Sequence, residues 1–138
     1  MFMKKIFLLL AIVLAFAGCD LEDEGIKIHS ELLPIESVTL PTEFKKDSIY
    51  ELPFTYINPS TCHVFERFYY EKDSNKRTIA VLTTVIEQDN CKGVTVNPLE
   101  KFLSFKPTTE SSYVFKIWKG KDTNGNDVFE EIEIPVVP

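Results

Sequence analysis

Cys62 and His63 stand side by side in STCHVFERFYY, residues 60–70, and a thiol beside an imidazole is a nucleophile beside a base. On a strand, neighbouring side chains project to opposite faces, so this pair does not meet. A Ser-His-acid site would need His63 with a serine such as Ser60 or Ser104, and neither serine sits in an activating turn. No C-x-x-C, H-x-H or H-E-x-x-H spacing occurs, which disfavours zinc. Glu131 and Glu133 share one parity of an extended segment, about 7 Å apart in rise, a separation found for paired glycosidase carboxylates. Nothing in the local pattern buries either acid, so they read as a solvated sheet face. The expectation is a protein without catalytic residues and without a cofactor.

Two stretches carry binding signals instead. KDTNGND places Asp122, Asn124, Asn126 and Asp127 in an oxygen-rich segment, a weak calcium candidate. Gly125 does not occupy the sixth position that the helical calcium loop requires. Asn124-Gly125 between two apolar alternations is a hairpin signal, because both residues of such a turn take positive φ. FERFYY is the second stretch, with Phe65 and Tyr69 on one parity and Phe68 and Tyr70 on the other. A half-buried strand hides one set well, so these four rings form a candidate binding face for sugars or for a protein partner.

Charge narrows the partners. The chain carries 15 basic and 21 acidic residues, a net charge of −6, which argues against nucleic acid and against attraction to anionic lipid. The N-terminus nevertheless points to a membrane. Lys4 and Lys5 precede an apolar run of 12 residues, 6–17, long enough for an export signal and well short of the roughly 20 residues a membrane-crossing helix needs. The run ends in Phe16-Ala17-Gly18-Cys19, which resembles the lipobox of bacterial lipoproteins, with Phe16 where that family most often has Leu. The resemblance implies that Cys19 is lipidated and becomes the first residue after cleavage, which makes a membrane partner through the lipid anchor and leaves 13 basic residues against 21 acidic ones.

Asp20, Glu22, Asp23 and Glu24 follow at once. Mutual repulsion favours an extended tether. An acidic run at this position is similar to the surface-export signal of Bacteroidota-type lipoproteins, whereas Asp directly after the cysteine is similar to the enterobacterial inner-membrane retention signal. The run fits the first better than a lone Asp fits the second, so an outer-membrane, cell-surface site is expected, with the periplasmic face as the alternative.

Past the tether, the pattern has a period of two. Tyr50, Leu52, Phe54 and Tyr56 share one parity; so do Tyr113, Phe115 and Ile117; so do Val128, Ile132, Ile134 and Val136, with Phe129, Glu131 and Glu133 facing away. Further alternating runs lie near 35–40, 62–71, 78–88 and 101–106, with a short one at 94–96, and Pro, Asn and Gly signals separate them. The organisation predicted is a signal peptide over 1–18, a lipidated acidic tether over 19–33 and one domain over 34–138. That domain is expected to be all-β, an antiparallel immunoglobulin-like β-sandwich of about seven strands. Trp118 does not lie between two bridged cysteines as in an antibody domain.

An exported chain meets an oxidising compartment, so the even pair Cys62 and Cys91 is expected to form a disulfide. A hairpin about residues 72–77 places Cys62 opposite residue 87 in strict register, with Cys91 returning across the open end. The stretch YVFKIWKGKDTNGNDVFEEIEIPV and the strands before it also bear a loose likeness to uncharacterised small lipoproteins of the Bacteroidota type, which implies no activity and no site residues. Two functions fit: a lipid-anchored, non-catalytic binding or adhesion module for an envelope protein or glycan, or a structural or assembly subunit of an outer-membrane complex. An exposed aromatic face would favour the first, and a long open edge at 132–136 the second.

Overall fold

The computed structural model describes residues 25–93 and 98–138; Cys19, the acids at 20–24 and the run at 94–96 lie outside the described residues. Every regular element among the described residues is a strand: β1 (Lys27–Leu33), β2 (Ser37–Val38), β3 (Phe44–Lys45), β4 (Tyr50–Tyr56), β5 (His63–Asp73), β6 (Lys76–Glu87), β7 (Leu99–Phe105), β8 (Ser112–Lys121) and β9 (Asp127–Val137). They form a β-sandwich of one six-stranded sheet and one three-stranded sheet, β2-β4-β7.

Alternation explains the long strands. In β4, Leu52, Phe54 and Tyr56 are buried while Glu51 points to solvent; in β8, Tyr113, Phe115 and Ile117 are buried between half-exposed neighbours. Facing rows from the two sheets therefore interdigitate. Phe44 lies at the centre, with Phe105 at 5.0 Å and Phe115 at 5.8 Å between ring centroids, and Phe54 packs on Phe68 at 5.2 Å. Such tilted and edge-on pairs are the favoured aromatic arrangements in a close-packed interior.

β6 organises the larger sheet. It pairs with β5 along one side, and along the other with β1 over Val81–Glu87 and then with β8 over Lys76–Ile79. β1 and β8 thus meet end to end beside one strand. β6 and β8 run parallel, as do β3 and β9, so the sheet is mixed where the sequence predicted purely antiparallel pairing. All seven predicted strands are present, and β1 and β3 bring the number to nine.

β1 corrects the predicted boundary, because residues 27–33 are sheet where a flexible tether was expected. Of its seven residues only Leu33 is buried, so the strand is held by its backbone ladder to β6 rather than by an apolar face. From its end the chain crosses between sheets: Ile35 N–H donates to the Trp118 carbonyl at 3.0 Å, and Glu36 N–H donates to the Thr55 carbonyl at 2.8 Å. Gly120, at φ +101°, ends the regular part of β8 at a bulge where Pro34 passes close by; a side chain there would be strained by the φ alone.

A second bulge lies in β5. The register shifts between Phe65 and Arg67, leaving Glu66 as the extra residue. Above it the partners of β5 are one residue nearer the turn, so Cys62 faces Ile86, whose N–H it accepts at 3.0 Å, in place of residue 87.

Candidate functional site

The disulfide is formed: Cys62 and Cys91 are bridged with their Cα atoms 5.5 Å apart. It closes one end of the sandwich together with a backbone bond from Thr61 N–H to the Lys92 carbonyl at 2.9 Å. The thiol of the imagined Cys62–His63 pair is therefore consumed.

His63 has other partners. Its Nδ1 lies 2.6 Å from Ser60 Oγ and its Nε2 lies 2.6 Å from Glu31 Oε2, with the side chain mostly buried. With the ring donating from Nε2 to the carboxylate, Nδ1 accepts the serine proton. Ser60 Oγ also accepts the Cys62 N–H at 3.1 Å, so this hydroxyl both caps the turn and braces the ring. Glu31 escaped the sequence reading because it lay in the supposed tether. The chain Ser60–His63–Glu31 joins β1, β5 and the turn that carries the disulfide, and its geometry is that of a clamp. Ser104 lies elsewhere, on β7 opposite Glu51.

The bulge at Glu66 breaks up the candidate ring face. It resets the parity of β5, so Phe65, Phe68 and Tyr70 all turn inward: Phe65 packs on Phe68 at 5.4 Å and on Tyr56 at 6.0 Å, and Tyr70 is half-buried against the core. Lys101 caps the outer side of Phe65 at 5.1 Å. Tyr69 alone of the four projects outward, 36% exposed.

The Asp122 to Asp127 segment is a turn held by its own carboxylate. Asp122 Oδ1 accepts the N–H groups of Asn124 at 2.8 Å and Asn126 at 2.9 Å, and Gly125 takes φ +80°. Asn124 is not in the left-handed region, so the loop between the paired Lys121 and Asp127 is a wider one than the two-residue turn predicted. Asp127 turns away to the sheet, where it accepts from Lys121 Nζ at 3.0 Å and Trp118 Nε1 at 3.1 Å. Those bonds, Lys121 first, hold its carboxyl below the usual range. The two acids therefore do not converge on one point. Among the described residues no three of His, Cys, Asp or Glu are grouped as a metal ligand set. Asp122→Ala is expected to lower stability by about 1 kcal/mol, the net worth of its turn bonds. Denaturant unfolding of the variant and of the parent with added calcium checks this; a midpoint raised by calcium in the parent alone would restore the metal reading.

Tyr69 leads to the larger feature. The outer face of the six-stranded sheet carries a cleft of about 710 Å³ where β1 and β8 meet beside β6. Two rows of side chains cross it. Tyr69 pairs with Ala80, Ala80 lies one residue past the last β6–β8 couple Ile79–Ile117 and so abreast of Trp118, and Trp118 pairs with Phe129. The next row runs Glu71, Thr78, Lys116 and Glu131 by the same pairings. Leu32, at the end of β1, bounds the cleft on its remaining side.

The rings are fixed before anything binds. Tyr69 donates its hydroxyl to Glu71 Oε2 at 2.6 Å, and this bond raises the phenol above its ordinary pKa. Trp118 is tied through its indole N–H to Asp127. Lys116 Nζ stands 4.3 Å from the centre of the Phe129 ring, a cation–π contact. Glu133 lies further along β9, accepting from Ser112 at 2.8 Å.

Sequence reasoning found Tyr69 and missed Trp118, Phe129 and Lys116. The signal was present: Phe129 breaks the polar parity of β9, and Trp118 continues that of Lys116 in β8. No family model, curated protein or solved structure matches the chain.

Proposed function

We propose that this chain is a lipid-anchored envelope lipoprotein whose sandwich is a non-catalytic binding module, with the outer-face cleft as its ligand site. One observation carries the binding reading: rigid, hydrogen-bonded rings of Tyr69 and Trp118 stand in a cleft with charged groups of both signs. A concave apolar floor with a few placed polar groups is the usual form of a small-ligand site. The anchoring reading rests on Lys4, Lys5, the apolar run 6–17 and Ala17-Gly18-Cys19, and the acidic run after Cys19 favours the cell surface. A disulfide is in keeping with an oxidising compartment outside the cytoplasm.

Cys19→Ser is expected to move the protein from the membrane fraction to the soluble fraction, since stable attachment needs the acyl chains. Unchanged fractionation would refute the anchor. Protease treatment of intact cells separates the two orientations, because a periplasmic domain survives.

An assembly role has one observation in its favour. Among the described residues, the outer edge of β9 is paired only at Val136 and Val137, by β3, and stays open along the rest of its length. Asp127, Glu130, Glu131, Glu133 and Pro135 punctuate that strand, the pattern by which sheets discourage added strands. We therefore place the binding module first.

A further inference from the structure

Resting on the binding-module reading above, we propose that the cleft takes an extended peptide segment of a partner protein, added as a further strand to the free edge of β1. The strands border the cleft in two different ways. β5, β6 and β9 each meet it with two residues set two apart, such as Tyr69 and Glu71, which is a strand seen on its face. β1 meets it with Ser30, Glu31 and Leu32 in unbroken succession. The Glu31 carboxylate is turned to the opposite face, where it holds His63, so the cleft reaches this residue at its main chain. β1 is thus approached along its edge.

That edge is open. β6 takes one side of β1, and among the described residues no strand takes the other. The Glu31 carbonyl accepts from Thr83 Oγ1 at 2.8 Å and so faces β6. Main-chain groups of successive residues in an antiparallel strand point alternately to its two sides. Ile28, Ser30 and Leu32 therefore turn their N–H and C=O groups to the open side, a template for another strand. The register of β1 is unbroken and it holds no proline, whereas the open edge of β5 is interrupted by the bulge at Glu66 and that of β9 by Pro135.

Side chains of β1 select the peptide. Ile28 and Leu32, 61% and 40% exposed, stand opposite Ile86 and Leu82 on the outer face, so a strand laid along this edge gains by placing apolar residues beside them. The positions between fall beside His29 and Glu31 on the other face. Those two groups already have partners, Glu87 and His63, and a further charge there would lose water without gaining an ion pair. The segment that fits alternates apolar with uncharged polar residues.

The chain contains a single tryptophan, Trp118, which borders the cleft, so its emission reports occupancy. The experiment uses the full-length chain in a detergent without a sugar head group, titrated with a blocked heptapeptide of alternating valine and threonine and, separately, with the trisaccharide of N-acetylglucosamine. We expect the peptide to shift the Trp118 emission with millimolar or tighter affinity. Two further peptides, methylated on every valine nitrogen or on every threonine nitrogen, each lose the donors of one edge. One should fail to bind, and the other should bind as the unmethylated peptide does. Ser30→Pro removes an outward N–H at a place where an edge strand tolerates proline, and it should weaken binding by at least about tenfold. Its unfolding midpoint is first compared with that of the parent; if the variant does not fold, the methylated pair decides the question on the unaltered chain. Equal binding by both methylated peptides, or unchanged binding by a folded Ser30→Pro, would overturn strand addition. A shift with the trisaccharide and none with the peptide would overturn the peptide and leave the binding module standing. No shift with any probe would overturn both.

Discussion

Phe115→Ala is expected to destabilise the sandwich by about 3–5 kcal/mol, the usual loss for a fully enclosed phenylalanine. The ring is 0% exposed, lies on β8 facing the smaller sheet, and packs against both Phe44 and Phe105, which also touch each other. Its removal opens a cavity at the point where both sheets and the short β3 converge, and rigid neighbours on three elements cannot collapse into it. Domains of this size have a total stability of about 5–15 kcal/mol, so the variant should sit near the edge of folding. Phe102→Ala is the matched control. That ring is on β7 and 57% exposed, so its loss should change stability by no more than about 0.5 kcal/mol. Denaturant unfolding of both variants provides the comparison; equal losses would mean that β7 and β8 do not present these rings as described.

Opening the disulfide, by the paired change Cys62→Ala and Cys91→Ala, is expected to remove about 3–4 kcal/mol in the chain-entropy account of cross-links. The bridge closes a loop with a sequence separation of 29 that encloses the whole β5–β6 hairpin, and without it the unfolded chain regains that freedom. Cys62 is 1% exposed, so the change is made to alanine, which leaves no polar group in its place. Reductant should lower the unfolding midpoint of the parent toward that of the variant and leave the variant where it is. A parent indifferent to reductant after complete reduction, verified by thiol titration, would show that the clamp of Ser60, His63 and Glu31 holds this end alone.

What could be read from sequence followed from burial. β4, β6 and β8 each hide one face, and hydrophobic alternation registers that directly. β1 was misplaced because its ladder to β6 involves only backbone groups, which no residue type announces, and because Leu33 is its single buried member. The bulge at Glu66 had no glycine or proline to mark it, yet one extra residue inverted the parity of everything before it and dispersed the supposed face of four rings. At the last hairpin, Asn124-Gly125 located the reversal correctly. The competing influence of the Asp122 carboxylate, which gathers two N–H groups, set its width.

The cleft shows the same division. Trp118 and Phe129 are eleven residues apart in sequence and meet only through the β8–β9 register, while Tyr69 is aligned with them across β6 through a parallel pairing that links distant segments. Single residues with the right parity were visible; the row they make was not.

The placement of β1 also has a mechanical meaning. Its first rung joins Lys27 to Glu87, and its last joins Leu33 to Val81, beside the cleft. On the anchoring and binding proposed above, the lipid would hold the chain upstream of Lys27 and a ligand would pull near Leu32, so that tension would run lengthwise along a strand of about 23 Å. The ladder is then loaded in shear, every rung sharing the force at once, in the geometry that resists tearing better than unzipping one rung after another.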